Sequence, residues 1–183
     1  AMTDAEESID FIDRTIEEWQ MQNGNIPQDP VDAAPDETYH GLLAEHLKRS
    51  EGYRTRTYTD PVGLRTVGIG FNLEAVGARE TIEGMGLDYN KVVSGETELT
   101  EDQVQFLLQK SVADAEKIVT SRIKVPLTKR QRIALVSLAF NHPKLIGPKL
   151  TQYVNNREWA KAEWEIRYRS NGGLSRGIQN RRN

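Results

Sequence analysis

The stretch EGYRTRTYTDPVGLRTVGIGFN, residues 51–72, constrains the fold more than any other part of the chain. Upstream of it, Leu42, Leu43 and Leu47 recur at helical spacing from Thr38 to about Glu51, and Gly52 stands where such a helix stops. Downstream, TRTYTD and LRTVGIG alternate around Pro61-Val62-Gly63, with Pro and Gly where a turn needs them. A helix end running straight into a hairpin predicts an α+β fold. It also sets one carboxylate, Glu51, against a second, Asp60, and a hydroxyl, Thr66.

Two acids on neighbouring but dissimilar elements can be held across a cleft at a fixed separation. Cleaving a glycosidic bond needs such a pair, one protonated and one ionised. Glu51 sits at a helix C-terminus, where the macrodipole disfavours negative charge, and desolvation in a cleft would raise its pKa further. Asp60 lies beside a polar turn whose water and backbone N–H groups stabilise an anion. Thr66 offers a hydroxyl that can share a water molecule with it. Read singly, these are a helix-end acid, a turn residue and a strand residue. Read jointly, with the flanking Gly68-Ile69-Gly70, they make a candidate catalytic set.

The rest of the chain reads as helices around this core. Thr3 and Glu6 form a capping box, and Ile9, Ile12, Ile16 and Trp19 follow at helical spacing until Gly24. The proline-containing stretch after Gly24 reads as a linker, so residues 1–38 form an acidic amphipathic helix on a tether. An isolated helix of about 20 residues is marginal in water. Its apolar stripe therefore packs on this body, packs on a partner, or remains from a larger protein. Residues 74–93 suggest one or two short helices broken by Gly84, Gly86 and Gly95. Thr100 and Gln103 cap a helix of about 20 residues ending near Ser121, on the order of 30 Å long and able to bridge two lobes. Thr128 and Gln131 cap a helix containing IALVSLAF, apolar on nearly every side and so buried. After Gly147-Pro148, helices are expected at 150–155 and 158–169.

Composition narrows the function. Cys is absent, so neither disulfides nor thiolate metal sites are available. His40, His46 and His142 lack ligand spacing and read as surface histidines; neither metal nor cofactor is expected. No apolar run approaches the roughly 20 residues of a membrane span, and no leader of the Sec type is visible. The net charge of −3 hides a split: residues 1–38 hold eleven acids and one base, leaving sixteen acids and twenty-three bases elsewhere. A body of charge +7 suits an anionic polymer such as bacterial wall. Nucleic acid fits the sign, but the bases are dispersed rather than interleaved with stacking aromatics.

The stretch SEGYRTRTYTDPVGLRTVGIGFNL resembles the catalytic segment of the phage-type lysozymes, glycoside hydrolase family 24. LTEDQVQFLL, VPLTKRQRIALVSLAFN and GIQNRR continue the likeness, so that it spans roughly residues 39–183. The resemblance implies a two-lobed lysozyme-like fold: a hairpin lobe (39–99), a connecting helix (100–121) and a helical lobe (122–183). It implies hydrolysis of the β-1,4 bond between N-acetylmuramic acid and N-acetylglucosamine in bacterial peptidoglycan. By position, Glu51 matches the family's acid, Asp60 its second carboxylate and Thr66 its water-positioning hydroxyl, and the family tends to invert the anomeric centre. Phe140, Asn141, Lys149, Asn72 and Gly70 match substrate-contacting positions. The chain departs from the family at Phe71, where relatives often carry His, and at HPKLIGPK, usually glycine-rich. Arg181 and Arg182 are candidates to pair with carboxylates near the cleft.

The expected setting is a phage virion, or the host cytoplasm before release to the wall, with residues 1–38 as a possible contact to a virion protein. Two other functions fit parts of the pattern. A lytic transglycosylase uses one acid and leaves anhydro ends, which the Asp60–Thr66 pair argues against. A non-catalytic wall-binding or structural module of a phage particle would have no use for the full set.

Overall fold

The computed structural model describes residues 14–17, 19, 37–60 and 63–168. The capping box at Thr3, the linker, Pro61-Val62 and the GIQNRR segment with Arg181 and Arg182 lie outside them. Helix α1 (Glu37–Glu51) leads into strands β1 (Arg54–Thr59), β2 (Arg65–Gly68) and β3 (Phe71–Asn72). Short helices α2 (Ala78–Gly84) and α3 (Tyr89–Ser94) precede the long α4 (Glu101–Arg122) and the central α5 (Lys129–Asn141). A 3₁₀ turn (Pro143–Leu145), α6 (Pro148–Asn155) and α7 (Trp159–Tyr168) complete the order.

The helix-to-hairpin junction forms where the sequence places it. Gly52, at φ 80°, takes a left-handed conformation that an L side chain rarely adopts, and its N–H closes on Lys48 O at 2.9 Å. β1 and β2 pair antiparallel, Tyr58 opposite Thr66 and Thr59 opposite Arg65. β3 adds a third antiparallel strand, Thr66 opposite Asn72. At two residues it is too short to leave an alternation in the sequence. The loop after α3 braces β1: Leu99 N donates to Thr55 O at 2.8 Å, and Arg56 Nη1 to Gly95 O at 2.7 Å.

Both internal capping boxes form, at Thr100/Gln103 and Thr128/Gln131. α4 buries Val104, Leu107, Leu108, Ala115 and Val119, touching β2 and β3 early in its length and packing along α5. α5 is the centre of the core, with every residue from Ile133 to Ala139 at most 3% exposed. The one hydroxyl in that run, on Ser137, is satisfied by Ala134 O at 2.9 Å. Among the described residues no helix is long and apolar enough to cross a membrane.

Two features refine the sequence reading. Residues 14–17 and 19 are helical, with Ile16 and Trp19 buried in the common core; the Trp19 ring lies 5.9 Å from that of Trp159. Of the apolar stripe read for the N-terminal helix, Ile16 and Trp19 pack on this body, and Ile9 and Ile12 lie outside the described residues. His46 corrects the expectation of surface histidines, for it is 2% exposed, while His40 and His142 are exposed. It lies one helical turn beyond Leu43 on the inward stripe of α1, and Arg14 of the N-terminal helix lies near it.

Candidate active site

Glu51, the last residue of α1, meets two other parts of the chain. Asn141, the last residue of α5, donates from Nδ2 to Glu51 Oε1 at 3.3 Å. Gly70, in the turn between β2 and β3, packs so closely that a Cβ there would lie 3.0 Å from Glu51 Oε2 and 3.2 Å from Phe140 Cε1. Its φ of +69° and that lack of space both demand glycine. Glu51, Gly70, Phe140 and Asn141, taken from three stretches of sequence, therefore converge. Tyr58 ties the hairpin to the same helix end, its hydroxyl donating to Glu51 O at 3.3 Å.

This setting raises the Glu51 pKa to about 7. Desolvation is the largest cause; the Asn141 hydrogen bond opposes it and the Asp60 carboxylate adds to it. A carboxyl group that holds its proton near neutrality can give it to a leaving oxygen.

Asp60 and Thr66 are joined through a residue that the sequence did not single out. Leu64 N donates to Asp60 Oδ1 at 2.7 Å, and Leu64 O accepts from Asp60 N at 2.8 Å and from Thr66 Oγ1 at 3.0 Å. The contribution is backbone, so the identity of the side chain carries no signal of it. Thr66 is 3% exposed and spends its proton on Leu64 O, which leaves its oxygen as an acceptor. Tyr58 was also missed, although it stands two residues before Asp60 and opposite Thr66, on the strand face that bears on Glu51.

The remaining candidates divide. Asn72 pairs with Thr66 across the β2–β3 ladder, and its Oδ1 accepts from Glu74 N at 2.8 Å. Gly68 packs on α4, a Cβ there lying 3.4 Å from Val104 Cγ1, so its role is structural. Phe140 is half-buried, packed against the core and close to Gly70. Lys149 is exposed in the first turn of α6, and no contact among the described residues joins it to Glu51.

Comparison with known proteins agrees with this architecture. The chain is 35% identical over 118 residues to the endolysin of Salmonella phage P22, covering 63% of this chain and 72% of that one. It is 30% identical over 95 residues to the endolysin of Acyrthosiphon pisum secondary endosymbiont phage 1, covering 52% and 53%. It is 25% identical over 151 residues to the pre-baseplate central spike protein Gp5 of Enterobacteria phage T4, covering 74% of this chain but 25% of that one. A solved structure of a P22 lysozyme mutant superposes with a TM-score of 0.51 at 21% identity, covering 82% of this chain and 96% of that one; it shares the fold. The family model described as phage lysozyme matches residues 48–183, about three quarters of the sequence, and the chain belongs to that family.

Proposed function

We propose that this protein is a muramidase that hydrolyses the β-1,4 glycosidic bond of peptidoglycan. Glu51 is the general acid, and Asp60 and Thr66 hold the attacking water. The observation that carries the reading is the Glu51 carboxyl, pushed up to about 7 by burial and oriented by Asn141. An attacking water must offer a lone pair to the anomeric carbon, so both of its hydrogens should point at acceptors. The Asp60 carboxylate and the Thr66 oxygen supply them, because the Thr66 proton is already given to Leu64 O. Phe140, Gly70, Asn72 and Lys149 would contact the glycan, and Asn141 would contact both the glycan and the acid.

The relatives suggest two settings. Two are endolysins and one is a baseplate spike protein. We favour the endolysin setting, acting from the host cytoplasm on the wall. Ile16 and Trp19 are taken up by the protein's own core, which speaks against that stripe engaging a virion partner.

Glu51→Gln tests the reading. It should lower the rate of clearing purified peptidoglycan by roughly 10²- to 10⁴-fold, with an unchanged circular dichroism spectrum. Clearance near the wild-type rate would remove Glu51 from the acid role. Mass spectrometry of the wild-type products separates hydrolysis from transglycosylation, which leaves anhydro ends.

A further inference from the structure

Glu51 is held from two sides. Asn141 of α5 holds its carboxyl from the helical lobe. From the hairpin the hold is on its backbone, where the Tyr58 hydroxyl donates to Glu51 O at 3.3 Å. Carbonyls in the last turn of a helix lack intrahelical partners, so Tyr58 supplies a bond that α1 cannot make for itself. It supplies it on the residue that carries the acid.

The strand is shaped to deliver that hydroxyl. Between the pairs Arg54–Gly68 and Tyr58–Thr66, β1 advances four residues while β2 advances two, an irregularity of the bulge kind. Bulges bend a strand and re-aim its side chains, and they recur beside active sites. The exposure of β1 alternates from Arg54 to Thr57 and then breaks, leaving Thr57 and Tyr58 both half-buried. The exposed Arg54 sets its guanidinium 5.1 Å from the centre of the Tyr58 ring, a cation–π contact that steadies the ring.

Tyr58 also belongs to the side that holds water. Residues directly opposite in an antiparallel pair share a sheet face with Cβ atoms roughly 5 Å apart, so the base of the Tyr58 side chain stands beside Thr66. Asp60 follows two residues on. One rigid phenol therefore reaches from the Asp60–Thr66 strands to the helix end that bears Glu51. Where one carboxyl protonates the leaving oxygen and the other activates water, the two must stand apart by enough to admit sugar and water together.

We propose that Tyr58 is a positioning residue for the hydrolytic step. Its hydroxyl fixes the end of α1 against the hairpin and so sets the gap between the acid and the attacking water. The inference rests on the muramidase reading, since it takes Glu51 as the acid and Asp60 and Thr66 as the water site.

Tyr58→Phe tests it, because phenylalanine keeps the ring, the Arg54 contact and the packing beside Thr66 and removes the hydroxyl alone. On purified peptidoglycan kcat should fall about tenfold with KM within about twofold, and the circular dichroism spectrum should stay that of the wild type. The pH at which activity is half-lost on the alkaline side should not move, since the hydroxyl touches the carbonyl of Glu51 and not its carboxyl. In a Thr66→Ala background the same substitution should cost less than about twofold, because the water site it positions is already broken. A bond with a merely structural role would cost the same in both backgrounds. An unchanged kcat, an equal loss in both backgrounds, or an alkaline limb that shifts would each overturn the positioning role. Wild-type protein that leaves the wall intact sinks the muramidase reading and this inference with it. Wild-type protein that clears the wall no faster than Tyr58→Phe sinks this inference alone.

Discussion

Helix α1 carries His46 and Glu51, two titratable groups five residues apart that burial desolvates, and their fates differ. At His46 desolvation dominates, helped by the nearby Arg49 and Arg14, and lowers the pKa to about 4. At Glu51 desolvation again dominates and raises the pKa to about 7. The cause is shared: burial disfavours whichever form is charged, so the base loses its proton and the acid keeps one. What separates them is surroundings. Glu51 stays partly exposed, with an amide donor at 3.3 Å and a second carboxylate within electrostatic reach. His46 is 2% exposed, and its Nε2 has no hydrogen-bond partner among the described residues. A perturbed pKa therefore marks a candidate reactive centre here only where partial exposure and an orienting partner come with it.

The comparison depends on residues 14–17 and 19 being part of the body, and the largest expected effect tests that. Trp19 is fully buried against Trp159. Trp19→Ala should cost roughly 3–5 kcal/mol in urea unfolding. By loosening the helix that carries Arg14, it should also relieve the repulsion on His46, whose NMR-monitored pKa should climb from about 4 toward its ordinary 6.5. A variant with the wild-type midpoint and an unmoved His46 would detach the N-terminal helix from the core.

The two groups also oppose each other in their pH linkage. The folded pKa of His46 lies below its unfolded value, so its stability contribution is complete above pH 6.5 and is lost as pH falls toward about 4. The folded pKa of Glu51 lies above its unfolded value, so its contribution is complete below pH 4.5 and is lost as pH rises through about 7. Between pH 4.5 and 6.5 the unfolded chain protonates His46 and the folded chain protonates Glu51, so their slopes cancel. Glu51→Gln should uncover His46, with stability rising by up to about 1.4 kcal/mol per pH unit across that window. His46→Leu should uncover Glu51, with stability falling at a similar rate. Urea midpoints measured across the window check both signs. Parallel curves for the two variants would show that these groups do not control the pH dependence.

The sequence made the helix-to-hairpin junction legible because caps, alternation and turn residues are local signals. Thr100/Gln103 and Thr128/Gln131 could be read as capping boxes for that reason, and Gly52 as a stop. Glu51, Asp60 and Thr66 stood out as candidates for the same reason. Their connections were not: the Leu64 link is made by backbone atoms, and Asn141 reaches Glu51 across 90 residues of chain. His46 was misjudged because burial on the inward stripe of α1 depends on what packs over it, and Arg14, which lies near it, is distant in sequence. Sequence spacing describes faces within one element; it does not say what is laid on top of them.

The Asn141 hydrogen bond gives the smallest and sharpest test of what distinguishes Glu51 from His46. Asn141 donates to the carboxyl and draws its pKa down against the larger push from burial. Asn141→Ala removes that restraint, so the Glu51 pKa should rise above about 7 and the alkaline limb of the activity profile should move up with it. A hydrogen bond of this kind is worth about 1 kcal/mol, so the shift should be somewhat under one pH unit. The readout is the pH at which activity is half-lost, because its absolute height also reflects any glycan contact that Asn141 makes. An alkaline limb that stays in place would mean that Asn141 orients the acid without tuning it, or that a group other than Glu51 sets that limb. The same titration in Glu51→Gln decides between these: a limb that survives there belongs to another group.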